Sequence, residues 1–246
     1  MKTIKSITLL ILFANLFIFT SCEKDDETPV NTHDDAKGDV ILKKMNMMGN
    51  IKYLPVFFAD GADIAETGST VQGPDGTSYD LHDITWMNGN KQTGGGSPSA
   101  TKPMAGTYTF KLKFTDGYEK TVTDELETTE IDVPMITAFN YDELNQTIHL
   151  EWTPVANPDL YCVKITELDM ANTKPLFKKA QLPTNSNTLD INFDGSNGWM
   201  RPVSDFQTGT DYYIVIAAKK VEAGTTVSGA STDFQTSACN KRTFTY

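Results

Sequence analysis

The stretch Gly106-Thr-Tyr-Thr-Phe-Lys-Leu-Lys-Phe-Thr115-Asp116-Gly117-Tyr118-Glu-Lys-Thr-Val-Thr123 decides how this chain folds. Large apolar side chains stand at Tyr108, Phe110, Leu112 and Phe114, with threonine or lysine between them. Successive side chains of a strand point to opposite faces, so this alternation buries one face and leaves the other wet. Asp116-Gly117 between two such runs predicts a hairpin whose turn positions both take positive φ. Working outward, Val40–Leu42, Tyr53–Ala59, Thr70–Val71, Thr77–Leu81 and Ile84–Met87 read as further short strands. Gly73-Pro-Asp-Gly76 reads as a turn and Gly94-Gly-Gly-Ser-Pro-Ser99 as a flexible loop. Few windows carry helical spacing, and short strands at this pitch predict an antiparallel β-sandwich.

A second pattern begins after Val133-Pro134, with a strand expected over Ile136–Tyr141. Ile148-His-Leu-Glu-Trp152-Thr-Pro154 resembles the second strand of a fibronectin type III domain, with its buried tryptophan followed by proline. Tyr161-Cys-Val163-Lys-Ile165 resembles the third strand. Phe206-Gln-Thr-Gly209-Thr-Asp-Tyr212-Tyr-Ile214-Val-Ile216-Ala-Ala218 resembles the corner and sixth strand. The resemblance covers roughly Ile136 to Tyr246, and implies that Tyr212 packs in the core while its hydroxyl caps a backbone group upstream. Asp194–Asp205 is longer than that family needs between strands five and six. The segment after Val221 is polar and long before a terminal strand expected at Arg242–Tyr246. The first half looks immunoglobulin-like, without a motif that names a family. The expected fold is therefore all-β: two tandem antiparallel β-sandwiches, immunoglobulin-like over 39–134 and fibronectin type III-like over 135–246.

Alternation then assigns the side chains. Ile148, Leu150 and Trp152 face in, with His149 and Glu151 out; Tyr161, Val163 and Ile165 face in, with Cys162 out. Tyr212, Ile214, Ile216 and Ala218 face in, leaving Tyr213 and Val215 on the outer face. Within the resemblance, Cys162 and Cys239 belong to strands separated by one other. At about 4.8 Å between strands, that gap opposes a disulfide unless Cys239 sits in the loop before its strand.

The N-terminus reads as an address. Lys2 and Lys5 precede an apolar run over Ile7–Thr20, too short to span a hydrocarbon core, which needs about 20 residues. The run ends at Phe19-Thr20-Ser21-Cys22, which resembles a bacterial lipobox, although Phe19 stands where an aliphatic residue is usual. The resemblance makes residues 1–21 a lipoprotein signal peptide and Cys22 the site of lipid attachment, and so of attachment to the membrane. Residues 22–38 are acidic and poor in large apolar groups, the composition of a solvated tether that includes His33. Cys22-Glu23-Lys24-Asp25-Asp26 resembles the export tag of surface lipoproteins in some Gram-negative bacteria; charges that simply keep a linker soluble would read the same. The expected location is the outer membrane, exposed at the cell surface.

The chemistry is sparse. With 21 basic and 32 acidic side chains, the chain has a formal net charge of −11, which argues against nucleic acid as a partner. The three histidines, His33, His82 and His149, form no zinc or triad spacing, and no nucleotide-binding or nucleophile-elbow motif occurs. Asp194-Gly-Ser-Asn-Gly198 hints at a calcium loop but lacks the alternating acids and closing glutamate, and reads better as a turn. No catalytic residue, metal or cofactor is implied. Trp152 and Trp86 are expected in the cores. Trp199, beside Met200 and Arg201 in the apparent insertion, is the candidate ligand loop, unless its ring folds back over the end of the sandwich. The expected role is a non-catalytic binding or structural module meeting an envelope protein; the alternative is a glycan-binding lipoprotein of a polysaccharide-capture system.

Overall fold

The hairpin around Asp116-Gly117 forms, but with a tighter solution than a two-residue turn. Only Gly117 takes positive φ (86°); its N–H donates to the Phe114 carbonyl, and the Phe114 N–H to the Tyr118 carbonyl. This is a three-residue connection with glycine in the left-handed position. Gly73–Gly76 repeats it, with Gly76 at φ 81° donating to the Gly73 carbonyl. The two-residue turn with both φ values positive lies elsewhere, at Met48 (φ 53°) and Gly49 (φ 86°).

The computed structural model describes residues 33–87, 91–167, 174–225, 227 and 234–246. The expected signal peptide, the expected lipid site Cys22 and most of the expected tether lie outside the described residues. The strands are β1 (Lys37–Met47), β2 (Asn50–Asp60), β3 (Thr70–Gln72), β4 (Ser78–Asp80), β5 (His82–Asp83), β6 (Lys91–Gly95), β7 (Gly106–Lys113) and β8 (Glu119–Leu126). They continue as β9 (Ile136–Asp142), β10 (Thr147–Trp152), β11 (Leu160–Glu167), β12 (Phe177–Leu182), β13 (Thr188–Asn192), β14 (Asp211–Val221) and β15 (Phe234–Thr245). Single 3-10 turns occur at Thr85–Met87 and Val203–Asp205. Among the described residues no helix is long and apolar enough to cross a membrane.

The protein is all-β, and its strand orders are those of two sandwiches. In the first half, β1-β2-β6-β5 faces β4-β3-β7-β8. Lettered in chain order, these are ABED and C′CFG, the immunoglobulin arrangement. In the second half, β9, β10 and β13 form one sheet against β12-β11-β14-β15. Each half closes on its own core. One gathers Val40, Phe57, Val71, Tyr108, Phe110, Leu112 and Phe114. The other gathers Ile148, Leu150, Trp152, Tyr161, Val163, Tyr212, Ile214 and Ile216.

The two halves also share a sheet. β15 of the second half pairs in parallel with β1 of the first, over Thr236–Asn240 and Leu42–Asn46. The result is one sheet of eight strands, β12-β11-β14-β15-β1-β2-β6-β5. Both smaller sheets cover its same face, since every residue it gives to either core lies on that side.

Several expectations change. Of the strand expected over Ile84–Met87, Thr85–Met87 makes a 3-10 turn instead, and Trp86 is half-buried outside both cores. Gly94 and Gly95 end strand β6 rather than a loop, because the neighbouring backbone comes too close for a side chain. A Cβ at Gly94 would sit 2.6 Å from the Asp80 carbonyl oxygen, and one at Gly95 2.9 Å from that of Pro55. β15 starts at Phe234, eight positions before the expected Arg242. Its polar residues are buried because they find partners between the halves. Gln235 Nε2 donates to the Glu125 carbonyl and its Oε1 accepts from Glu127 N–H, while the Thr236 hydroxyl donates to the Thr129 carbonyl. His33, placed in the tether by composition, is 2% exposed; it stacks on Phe114 at 3.7 Å and reaches Asp116 at 3.0 Å.

Candidate binding face

The face of the eight-stranded sheet turned away from both cores is the most distinctive surface of the molecule. Its residues follow from register. Cys162, Ala217 and Cys239 lie level across β11, β14 and β15, with Met45 and Lys52 beyond them on β1 and β2. Lys164, Val215 and Lys241 form the next row on one side, extended by Lys178 on β12. Leu160, Lys219, Ser237, Lys43 and Leu54 form the row on the other. Six lysines thus sit on these rows of an acidic chain, and Lys37 and Lys91 join the same face beside Asp60. On the described strands the acids of this face are Asp39, near the start of β1, and Asp60 and Asp211 at strand ends.

Among the described residues, none of Lys43, Lys52, Lys164, Lys178, Lys219 or Lys241 joins an ion pair. Lys219 places its Nζ 3.9 Å from the centre of the Phe234 ring, and Lys241 lies 4.2 Å over Tyr213. Loss of hydration, followed by the charge of Lys43, holds the Lys164 ammonium below the usual lysine range. Lys219 is lowered in the same way, with Lys178 and Lys43 as its repelling neighbours and Asp39 opposing them. The Cys239 thiol is pushed up by burial, against the pull of Lys43, Lys164, Lys241 and Lys219. Ile41, Leu160, Cys162, Ala217 and Cys239 are buried on this face yet belong to neither core. Cys162 does point away from the core as alternation requires, but it is 6% exposed rather than solvated. Both cysteines are free thiols, two strands apart with Ala217 between them.

At the edge of this face a cleft of about 540 Å³ opens where the halves join, lined by Asp39, Ile41, Phe58, Asp124, Lys178, Lys219, Glu222 and Phe234 among others. Carboxylate oxygens of Asp39, Asp124 and Glu222 lie within 4.8 Å of one another there. Oxygen donors of this kind suit a hard cation. Asp124 already accepts from Val40 N–H at 2.7 Å, and Glu222 from Gln235 Nε2 at 2.9 Å. Sequence reading missed this trio, since its members are spread over residues 39 to 222 and only the fold brings them together.

The loop singled out from sequence is built differently from an exposed tip. Trp199 is half-buried and packs against Phe177, Phe193 and Phe206, with centroids 5.4, 5.1 and 5.5 Å away. Its indole Nε1 donates to the Asn192 carbonyl at 2.8 Å. Arg201 is held by Asp205 and Glu167, both at 2.9 Å, while Met200 N–H donates to the Leu176 carbonyl. Asp194 accepts from Ser196 N–H and hydroxyl, the geometry of a plain Asx turn. On the outer face of the three-stranded sheet, His149 bridges Asp190 at 2.6 Å and Glu151 at 3.0 Å.

No family model and no curated protein matches the chain. Among solved structures it is similar to the chicken CNTN1 FN1–FN3 domains, at 13% sequence identity and a TM-score of 0.25. That alignment covers 73% of this chain and 57% of the other, so the chain spans little more than half the length of the structure it matches. The sandwich assignment rests on strand order and core packing, not on this likeness.

Proposed function

We propose that this protein is a non-catalytic binding and structural module of a bacterial envelope, carried on a lipid at Cys22 at the outer membrane and displayed at the cell surface, where it meets another protein. The observation that carries the reading is the eight-stranded sheet. Two sandwiches fused through β1 and β15 present one broad face, mixed apolar and basic, that neither core uses. Contact surfaces that recruit proteins combine apolar centres with charged surroundings in this way.

The test uses the full chain expressed in a Gram-negative host. Cys22→Ser should abolish lipid labelling and release the protein from membranes. A photo-crosslinking residue at Thr243, on the eight-stranded face, should give a discrete protein adduct on intact cells, whereas one at Thr188, on the outer face of β13, should not. Retention of the Cys22→Ser protein in membranes would overturn the anchor, and equal or absent adducts at both positions would overturn the binding face.

A further inference from the structure

The six lysines are arranged about Cys239 in a way that selects the chemistry of a partner. Lys164 and Lys241 flank Val215 in one row, and Lys219 and Lys43 flank Ser237 in another, with the Cys239 row between. Residues two strands apart are separated by about 10 Å, and positions four apart along a strand by about 13 Å. Four ammonium groups thus surround a patch of roughly these dimensions, with Val215, Ala217 and Cys239 between them and Tyr213, Met45 and Leu54 along its edges. Among the described residues none of these lysines forms an ion pair, and of the carboxylates only Asp39, at the edge of the cleft, acts on one of them, Lys219. Packing them together without ion pairs is unfavourable, and Lys164 and Lys219 already bear that cost as lost hydration and mutual repulsion.

We propose that this lysine quartet is the docking surface for an acidic polypeptide segment of a partner protein. Charge complementarity supplies the anion: carboxylates would relieve repulsion that the free protein carries and gain contacts in a partly dehydrated setting. The apolar groups between the lysines favour a polypeptide over other polyanions, because acidic segments can intersperse apolar side chains. An extended chain places side chains four apart at about 13 Å, the spacing of the two lysine rows. This deepens the reading of the protein as a protein-binding module and rests on it.

The proposal is tested by fluorescence anisotropy with the full chain and labelled poly-L-glutamate at low and moderate salt, with polygalacturonate, phosphatidylglycerol vesicles and poly-L-lysine as competitors. The expected result is salt-sensitive binding of polyglutamate, weakened about tenfold in Lys164→Gln/Lys241→Gln. Lys111→Gln/Lys113→Gln, two exposed lysines on β7 facing away from the core, should leave it unchanged, and thermal melts should show all variants folded. Absence of polyglutamate binding at low salt, or equal binding by the two double variants, would overturn the lysine site. Tighter binding of polygalacturonate or vesicles through the same lysines would overturn the polypeptide assignment. The two readings fail separately: an adduct at Thr243 that persists in Lys164→Gln/Lys241→Gln keeps a protein partner and overturns its acidic character, whereas equal or absent adducts at Thr243 and Thr188 overturn the protein-binding reading.

Discussion

Tyr108 and Tyr212 hold the same station in the two halves. Each stands near the start of its strand, β7 or β14, with its ring fully in the core and its hydroxyl tied to backbone a few residues upstream. Tyr108 donates to the Met104 carbonyl at 3.0 Å, and Tyr212 accepts from Gln207 N–H at 2.8 Å. The corner expected for Tyr212 therefore has a counterpart in the first half, signalled only by the shorter Gly106-Thr107-Tyr108.

These two bonds should count alike. Tyr212→Phe removes the acceptor of the Gln207 N–H and Tyr108→Phe the donor to the Met104 carbonyl, and Gln207 and Met104 are both exposed residues. Each variant keeps its ring in the core and should lose about 0.5–1.5 kcal/mol. Urea unfolding of the two variants checks this; no loss in either would show that the hydroxyls do not act as placed.

Gly94 and Gly117 look alike in sequence and differ in space. Nothing lies within 4 Å of a Cβ at Gly117, so Gly117→Ala meets only the positive-φ penalty of about 1 kcal/mol. At Gly94 the Asp80 carbonyl oxygen and Leu81 Cδ2 would lie 2.6 and 3.0 Å away. Gly94→Ala must push β6 off its neighbours, and should cost about 2–3 kcal/mol. Thermal melts that ranked the two in the opposite order would return Gly94 and Gly95 to a loop.

What sequence could reveal follows the range of the interaction. Alternation located β7, β10, β11 and β14 and their inward residues, because period-two patterning is local. Trp152 and Tyr212 sit in the core as their motifs imply. The start of β15 was hidden, because Gln235 and Thr236 are polar and become buried only through partners more than 100 positions away. The candidate face was hidden for the same reason. Lys43, Lys164, Lys219 and Lys241 are unremarkable along the chain; the β11–β14–β15 pairings bring three of them together, and the parallel pairing of β1 with β15 adds Lys43.

Cys162 and Cys239 should stay unbridged. Both are buried thiols separated by the full width of β14, a gap that no side-chain rotation spans. Peptide mapping after mild oxidation should recover each carrying the alkylating reagent added in denaturant. Recovery of a Cys162–Cys239 cross-linked peptide would require β14 to leave its place in the sheet.

His149 gives the outer face of the three-stranded sheet a pH response. Its hydrogen bonds to Glu151 and then Asp190 raise its pKa above the ordinary histidine value. A group whose folded pKa exceeds its unfolded one contributes stability that is fully present below the unfolded value, near 6.5, and lost as pH rises through the folded value. His149 and its partners are substantially exposed, so solvent and salt hold the contribution small. His149→Gln should therefore lower Tm more at pH 5.5 than at pH 8.5, and added salt should narrow the difference. A deficit independent of pH would assign His149 a packing role only.

Trp199 separates structure from recognition most sharply. Its ring fills the space between Phe177, Phe193 and Phe206, and its indole nitrogen satisfies the Asn192 carbonyl. Truncating a fully buried tryptophan costs about 3–5 kcal/mol, and a half-buried one should lose about 2 kcal/mol. Trp199→Phe preserves much of the packing and should recover roughly half of that loss. A sugar-stacking tryptophan would behave oppositely, leaving stability nearly intact while polysaccharide retardation in affinity electrophoresis disappeared. For a glycan to reach this ring, the ring must first leave three aromatic neighbours and a hydrogen bond. The expected outcome is thus a lowered Tm for Trp199→Ala with unchanged mobility in every polysaccharide gel, and a mobility change at constant Tm would move the binding site to this loop.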